Sequence, residues 1–269
     1  MNKNSIEEFT NKYKTAVILC GGKGTRLGYI GRKLPKTLIK IQGKEILWYI
    51  INILILNNFN HFILPLGYKG KLIRQFIRKN KKLRHQVELI ETGNNTNIGK
   101  RIYKIRKKIK SKNFLLLNGD AIFDFNLKKY FNIHEKKNFG STFITGESTY
   151  QYGTIGTRFG KVVDFKRNIV YDSVNVRNSN NYVAYNYTGI SILSKNLIEK
   201  FSKSYKNYLN FEKELFPKII KKSKSGFIKL NGFFHSMDNL KDIDMVNKNK
   251  LFPQRFKGIK KIKKKIYEN

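Results

Sequence analysis

The sequence predicts an α/β fold in which a mostly parallel central sheet is flanked by helices and carries a smaller β-rich lobe. Three observations lead there. Apolar runs alternate with helical segments over the first half of the chain, the first run ends in a glycine-rich turn, and after about Gly140 short strands joined by Gly, Asn and Asp turns take over.

From Thr15 the run TAVILC reads as an apolar strand, followed by the glycine turn, a polar stretch and a helix from Glu45 through Leu56 whose apolar residues nearly encircle it. That is the opening of a βαβ unit. Strand-like runs follow at HFILPL (61–66), QVELIE (86–91) and FLLLNG (114–119), with basic helical segments near 70–80 and 99–112 between them. Beyond Gly140, GSTFIT, GTIGTRFG, KVVDF, NIVYDS and VAYNYTGISIL read as strands whose turns suit hairpins. Helical signal returns at Leu197 to Phe201 and in FEKELFPKIIKK, and GFIKLNGFFHSMDNLKDIDMV reads as a last strand, turn and helix. No repeat and no Pro- or Ser-rich linker divides the chain. We therefore expect an N-terminal extension (1–14), one domain (15–252) with halves 15–139 and 140–252, and a basic tail (253–269).

The 269 residues, 40% of them hydrophobic, suffice for a sizeable core. A single cysteine, Cys20, excludes an internal disulfide framework and suits a reducing, cytoplasmic setting. The N-terminus lacks an apolar stretch and the run Ile46 to Leu56 is too short to cross a bilayer, so neither a signal peptide nor a membrane span is expected. Against 18 Asp and Glu stand 55 Lys and Arg, a net charge of +37 that would attract any polyanion. Lys, Asn and Ile are abundant along the whole chain, the pattern of a compositional bias rather than of one binding face. No specific nucleic-acid partner is expected.

In CGGKGTRL, Gly21, Gly22 and Gly24 directly follow a strand, which lets the backbone approach a ligand and aim N–H groups at its oxygens. Arg26 closes the turn, and Pro35-Lys36 lies nine and ten residues on. Two such cations could flank the phosphates of a nucleotide, as phosphoryl or nucleotidyl transfer requires. The spacing is not that of a P-loop, glycine turns also serve structure, and Arg26 and Lys36 are two of 55 cations; the residues alone leave both readings open.

CGGKGTRL followed by LPKTLIKIQGKEILWYI resembles the N-terminal signature of the sugar-phosphate nucleotidyltransferases. GKEILWYI, GYKG (67–70) and ETGNNTNIGKR (91–101) resemble segments of the glucose-1-phosphate cytidylyltransferases within that family. The resemblance runs from about Thr15 to Val246. It implies a Rossmann-like sheet of the nucleotide-diphospho-sugar transferase type, whose β-rich lobe binds the acceptor, and a possible homo-oligomer. It further implies that Leu19, Gly21, Gly22, Gly24, Thr25, Arg26, Lys36, Thr92, Gly93, Thr96, Arg101 and Gly119 hold an NTP, with CTP favoured. Ile98 and Lys100 stand where the family carries Thr and Gly, and the insertion that the cytidylyltransferases carry before this segment is missing.

Nucleotidyl transfer needs a divalent ion, and Mg²⁺ takes a few carboxylates plus phosphate and water. Asp120 ends FLLLNGD, at the carboxyl edge of a buried strand where ligands of open α/β sheets gather. Asp238, in FFHSMDNLKD, suits a helix N-cap equally well by its sequence alone. By resemblance both match the metal-binding positions, with Arg26, Lys36 and Asp120 as catalytic residues. Also by resemblance, Tyr152, Gly153, Asn186, Gly189 and Glu212 lie near the sugar phosphate; VVDFKR departs from the family's E-K-P pattern, and Lys166 or Arg167 stands near the place of its acceptor lysine. The expected reaction joins an NTP to a sugar 1-phosphate and releases pyrophosphate. The alternatives are a phosphorylated acceptor other than glucose 1-phosphate, or a binding relative without catalysis.

Overall fold

Strands that are apolar on both faces need helices on both sides of their sheet, and the runs of the first half obtain them. The computed structural model of the chain describes residues 13–22, 24, 27–81, 83–177, 182–201, 211–248, 252, 253 and 256, with the backbone alone at Gln151. β1 (Thr15–Leu19) leads through the glycine turn to α1 (Gly28–Lys33), a 3-10 turn (Lys36–Leu38), the small hairpin β2 (Lys40–Ile41) and β3 (Lys44–Glu45), and α2 (Ile46–Leu56). β4 (His61–Leu66), α3 (Gly70–Lys79), β5 (Val87–Glu91), α4 (Ile98–Ile105) and β6 (Asn113–Asn118) continue the alternation. Then come β7 (Ala121–Phe125), α5 (Leu127–Lys136), β8 (Ser141–Gly146), β9 (Ser148–Arg158), β10 (Lys161–Tyr171), β11 (Ser173–Val176) and β12 (Tyr182–Ser194). α6 (Lys195–Lys200), a π-helical turn (Phe211–Leu215), α7 (Phe216–Lys222), β13 (Ser225–Lys229), β14 (Gly232–Ser236) and α8 (Leu240–Asn247) complete it.

The main sheet runs β13-β8-β12-β6-β1-β4-β5, with β11 paired to β12. β5, β4, β1 and β6 are parallel; β12 enters antiparallel between β6 and β8, and β13 is parallel to β8. This is the expected mostly parallel α/β sheet. Every residue of β4 is buried, and α2 is buried from Ile46 to Leu54 with little regard to face, as a helix within a core must be. Tyr49 of α2 meets the rings of Phe252 and Phe256, so Phe256, which the sequence assigned to the basic tail, belongs to the core. The lysine-rich remainder of that tail, and residues 1–12, lie outside the described residues.

Several elements differ from the sequence reading. The polar stretch after the glycine turn contains α1, a six-residue helix with two glycines and little propensity of its own. Lys69, from the GYKG segment, donates to the carbonyls of Gly31 and Arg32 and so satisfies its open C-terminal end. The helix expected over 99–112 stops at Ile105 and tightens into a 3-10 turn. KVVDF and NIVYDS form one strand, β10, whose register shifts between Val162 and Asp164 and between Arg167 and Ile169 disguise its continuity. GFIK and GFFHS are separate strands in separate sheets: β13 joins the main sheet, whereas β14 pairs with β7. Among the described residues, no helix is long and apolar enough to cross a membrane.

One buried group ties stability to pH. His134 of α5 is buried with its Nδ1 2.8 Å from Thr142 Oγ1, while Nε2 has no partner among the described residues. Burial pushes its pKa down from 6.5 to about 4. The unfolded chain therefore takes up the proton at a higher pH than the folded chain does. The stability gained from keeping the ring neutral is complete above about pH 6.5 and falls by about 3 kcal/mol as pH drops through 4. Urea unfolding at pH 7 and pH 4 should show His134→Leu losing less stability than the unaltered chain over that interval; equal losses would remove His134 from the account.

Candidate active site

The glycine turn leaves the carboxyl end of β1, and β1 lies between β4 and β6, where the parallel sheet changes its direction of winding. Crevices form at such points because the connections from the two neighbouring strands leave towards opposite sides. Here the crevice is a cavity of about 630 Å³. Leu19 to Gly22, Gly24, Lys36 and Thr37 form one wall, residues 94 to 98 and Arg101 another, and Asn118 to Asp120 the floor. Gly24 has φ +62°, and its carbonyl accepts the N–H of Leu27 at 3.1 Å, closing the turn. Of the remaining turn residues, Thr25 and Arg26 lie outside the described residues.

The centre of the site is an ion triad. Lys36 Nζ lies 3.1 Å from Asp120 Oδ2 and 3.2 Å from Asp238 Oδ1, a contact that joins segments 202 residues apart. Asp120 is held from both sides: the Gly119 N–H donates to the Leu19 carbonyl at 3.0 Å, and the Asp120 carbonyl accepts the Met237 N–H at 2.8 Å. The latter bond extends the β7–β14 ladder, in which Ser236 faces Ala121, and so sets Asp238 beside Asp120. Asp238 is not the helix cap that its sequence allowed. Asn239 caps α8 in a reciprocal box with Asp242, while Asp238 turns to Lys36 and accepts a hydrogen bond from Ser236 Oγ at 2.7 Å.

Arg101 lines the cavity but spends donors on the protein. Its buried guanidinium donates to the Leu66 carbonyl at 3.1 Å, the Gly21 carbonyl at 3.2 Å and Thr92 Oγ1. Thr92 Oγ1 in turn donates to the Leu66 carbonyl at 2.6 Å, and the Thr92 carbonyl accepts Thr96 Oγ1 at 2.6 Å and Lys104 Nζ at 2.7 Å. Thr92, Thr96 and Arg101 thus form a hydrogen-bonded brace between the glycine turn, β4 and α4. Gly93, at φ +101°, lets the chain turn over Thr96, whose hydroxyl would lie 2.7 Å from a Cβ there. Space for the guanidinium exists because Gly21 and Gly67 have no Cβ; one built on either would lie within 2.5 Å of it.

Two more wall residues can be given a chemical character. Cys20 is buried and its pKa is raised to about 12 by burial, with Arg101 pulling the other way, so the thiol stays protonated and is no nucleophile at neutral pH. Thr37 is buried on the cavity wall and its Oγ1 has no partner among the described residues. Buried hydroxyls seldom stand without a partner. The sequence analysis passed it over, although its position beside Lys36 was the available signal.

The acceptor candidates scatter. Gly189, at φ +77°, sits in the irregularity between Tyr187 and Ile190 and packs on Asn118 of the cavity floor, where a Cβ would lie 2.5 Å from Asn118 Nδ2. Glu212 is exposed on the π-helical turn, close enough to Tyr187 that its charge adds to the burial that pushes that phenol's pKa up. Asn186 is opposite Gly146 on β8. Tyr152, Gly153 and Lys166 stand on the β9–β10 hairpin, where Lys166 pairs with Asp164 at 3.0 Å, and none of the three lines the cavity.

Replacing Arg101 by Met would leave two carbonyls and a hydroxyl of the brace without their donor, at a cost of roughly 2–4 kcal/mol. Gly67→Ala should lose a comparable amount by evicting the guanidinium, whereas Arg78→Met, on the exposed side of α3, should cost under about 0.5 kcal/mol. Chemical unfolding of the three variants checks this; a Gly67→Ala protein as stable as the parent would show that the brace carries no load.

The family model described as "Nucleotidyl transferase" matches residues 15–226. A Bacillus subtilis (strain 168) relative, named provisionally as a glucose-1-phosphate cytidylyltransferase, is 29% identical over 87% of this chain and 94% of its own. The D-glycero-alpha-D-manno-heptose 1-phosphate guanylyltransferase of Aneurinibacillus thermoaerophilus is 28% identical over 79% of this chain and 88% of its own. Among solved structures, HddC from Yersinia pseudotuberculosis superimposes with a TM-score of 0.65 at 22% identity, covering 88% of this chain and 99% of that one, a likeness of fold. The mostly parallel sheet accords with the likeness of fold, and the chain belongs to the nucleotidyl transferase family.

Proposed function

We propose that the protein transfers a nucleotidyl group from an NTP, preferably CTP, to a sugar 1-phosphate, forming an NDP-sugar and pyrophosphate. The observation that carries this reading is the Lys36–Asp120–Asp238 triad at the edge of a cavity walled by backbone glycines. An NTP would lie with its phosphates along Gly21, Gly22 and Gly24, where N–H groups can meet oxygens without side-chain obstruction. Its base and ribose would extend towards the wall of residues 94 to 98, which the brace of Arg101 and Thr92 holds in place. The acceptor would enter from the side of Asn118 and Gly189.

The residues fit the metal that such a reaction uses. Two carboxylates converge on one cationic point, now satisfied by an ammonium, and Mg²⁺ is commonly held by one or two carboxylates with phosphates and waters completing its shell. Among the described residues no cluster of three or more His, Cys, Asp or Glu gathers, in keeping with an ion that is shared with substrate. When bound by Asp120 and Asp238, Mg²⁺ supplies neutralisation of phosphate charge.

The acceptor's phosphate oxygen attacks the α-phosphorus in line; a new P–O bond forms, and the bond to the bridging oxygen breaks with its electron pair leaving on pyrophosphate. A phosphate dianion is already nucleophilic, so no side chain need take a proton, and the protonated Cys20 is consistent with that. Catalysis then comes from positioning and charge. Lys36 holds phosphate oxygens as charge grows on them, Thr37 supplies a hydrogen bond on the same wall, and Arg26 stabilises the departing pyrophosphate. The base preference rests on the GKEILWYI, GYKG and ETGNNTNIGKR segments; relatives named for cytidylyl and guanylyl transfer have nearly equal identity to this chain.

Pyrophosphate release with Mg²⁺, each of the four NTPs and a panel of sugar 1-phosphates tests the reading. Turnover is expected with CTP and one acceptor, falling at least about 10²-fold in Asp120→Ala and Lys36→Ala with the fold retained. Thr37→Val should lose only about tenfold, the worth of one hydrogen bond. Full activity in Asp120→Ala would sink the proposal.

A further inference from the structure

We infer that Lys69 is a positioning residue for the NTP, which holds the glycine turn in its phosphate-binding shape from outside the cavity, through α1. The inference rests on the reading of the cavity as an NTP site and adds to it a residue that touches no substrate. Lys69 stands in the loop between β4 and α3 and is not among the residues that line the cavity. Its φ is +58°, an uncommon conformation for a residue with a side chain, and that side chain caps nothing on its own helix. Glycine or asparagine would suit the backbone better. What lysine adds is reach. The half-buried side chain crosses to α1, where Nζ donates to the carbonyl of Gly31 at 3.4 Å and to that of Arg32.

α1 is the platform on which the glycine turn rests. Gly31 lies so close to Gly24 that a Cβ on Gly31 would collide with the Gly24 carbonyl oxygen, the oxygen that accepts the Leu27 N–H and closes the turn. Gly24 in turn abuts Lys36, whose Cγ would lie 3.2 Å from a Cβ at Gly24. A shift of α1 therefore moves the turn and disturbs Lys36 together. The segment 67–70 governs the other end of the turn as well: Gly67 leaves space for the Arg101 guanidinium, which donates to the Gly21 carbonyl. One loop, closed by the Gly70 N–H on the Gly67 carbonyl at 2.9 Å, thus clasps the turn at Gly21 and at Gly24. Backbone N–H groups bind phosphate tightly only when they are held ready in the right arrangement, so slack at either end is read as lost affinity for the triphosphate. A cation selected for its charge alone would gain nothing by committing its donors to two main-chain carbonyls of a six-residue helix.

Titration calorimetry of the full chain with Mg²⁺ and each of the four NTPs, at a temperature where circular dichroism shows every variant folded, tests this. For an NTP that the parent binds, Lys69→Met is expected to weaken affinity about tenfold, whereas Lys69→Arg, which can still donate to carbonyls, should stay within about twofold of the parent. Gly31→Ala should weaken binding as Lys69→Met does, although it raises the helix propensity of α1 and leaves Lys69 in place. Lys71→Met removes an exposed cation nearby and should match the parent. Parent affinity in Lys69→Met or in Gly31→Ala would overturn the inference and leave the NTP site standing. So would a loss in Lys69→Arg as large as in Lys69→Met, or an equal loss in Lys71→Met, which would make the effect one of net charge. A parent that binds none of the four NTPs would overturn the reading of the cavity, and the inference with it.

Discussion

Two carboxylates held close together repel, and a cation between them offsets that repulsion. Lys36 is that cation, and much of the fold can be seen as the means of delivering two carboxylates to it. Asp120 arrives on the exit of β6, two residues past the end of the strand; Asp238 arrives on the exit of β14, more than a hundred residues later. The two-stranded β7–β14 ladder contributes little to the core sheet, yet it aligns these exits by placing Ser236 opposite Ala121 and Met237 against the Asp120 carbonyl. Capping by Asn239 has a similar bearing. Asn239 takes the α8 cap itself, and the neighbouring Asp238 faces Lys36. Ion pairs of this partial exposure add little to stability, so their arrangement is better explained by what they hold than by how strongly.

Arg101 shows a charge put to the opposite use. A buried guanidinium is tolerable only when its N–H groups find acceptors, and here they are two main-chain carbonyls and a hydroxyl from three separate segments. The glycines at positions 21 and 67 are the counterpart of that arrangement, since any side chain at either would occupy the guanidinium's space. Residues that look in sequence like a loose scatter of family markers, GG in one segment, GYKG in another and TGNNTNIGKR in a third, are in the folded chain one contact set.

The parts legible in the sequence were those governed by local pattern. HFILPL gave its strand to the residue because five apolar residues in succession after His61 fit a strand covered on both faces. The glycine turn and NGD were legible for a similar reason: each follows an apolar strand and must therefore stand at its carboxyl edge. What escaped was set by partners distant in the chain. α1 exists because Lys69 closes it, and β10 stays one strand across two irregularities because β9 pairs along it. Whether Asp238 capped a helix or faced a cation was undecidable locally, both Asp238 and Asn239 being good caps. Thr37 carries no signal in the sequence beyond its place beside Lys36; its buried hydroxyl, without a partner among the described residues, marks it in the structure.

The strong positive charge acquires a physical meaning from the same geometry. Both proposed substrates are anions, and a chain of net charge +37 raises their local concentration wherever they bind. Long-range attraction of that kind is indiscriminate, because the lysines are spread along the sequence and their field falls off within about 8 Å at physiological salt. Selection among anions must therefore occur at short range, at the cavity, where Lys36, Arg101 and Asp120 are the charged residues of the described lining and Asp238 stands beside Lys36. Asp120 and Asp238 offset the cations there. In the proposed reaction a phosphate that brings a divalent cation would meet both carboxylates favourably where a bare phosphate would not, so a metal-bound triphosphate would be selected from among the anions that the rest of the surface attracts.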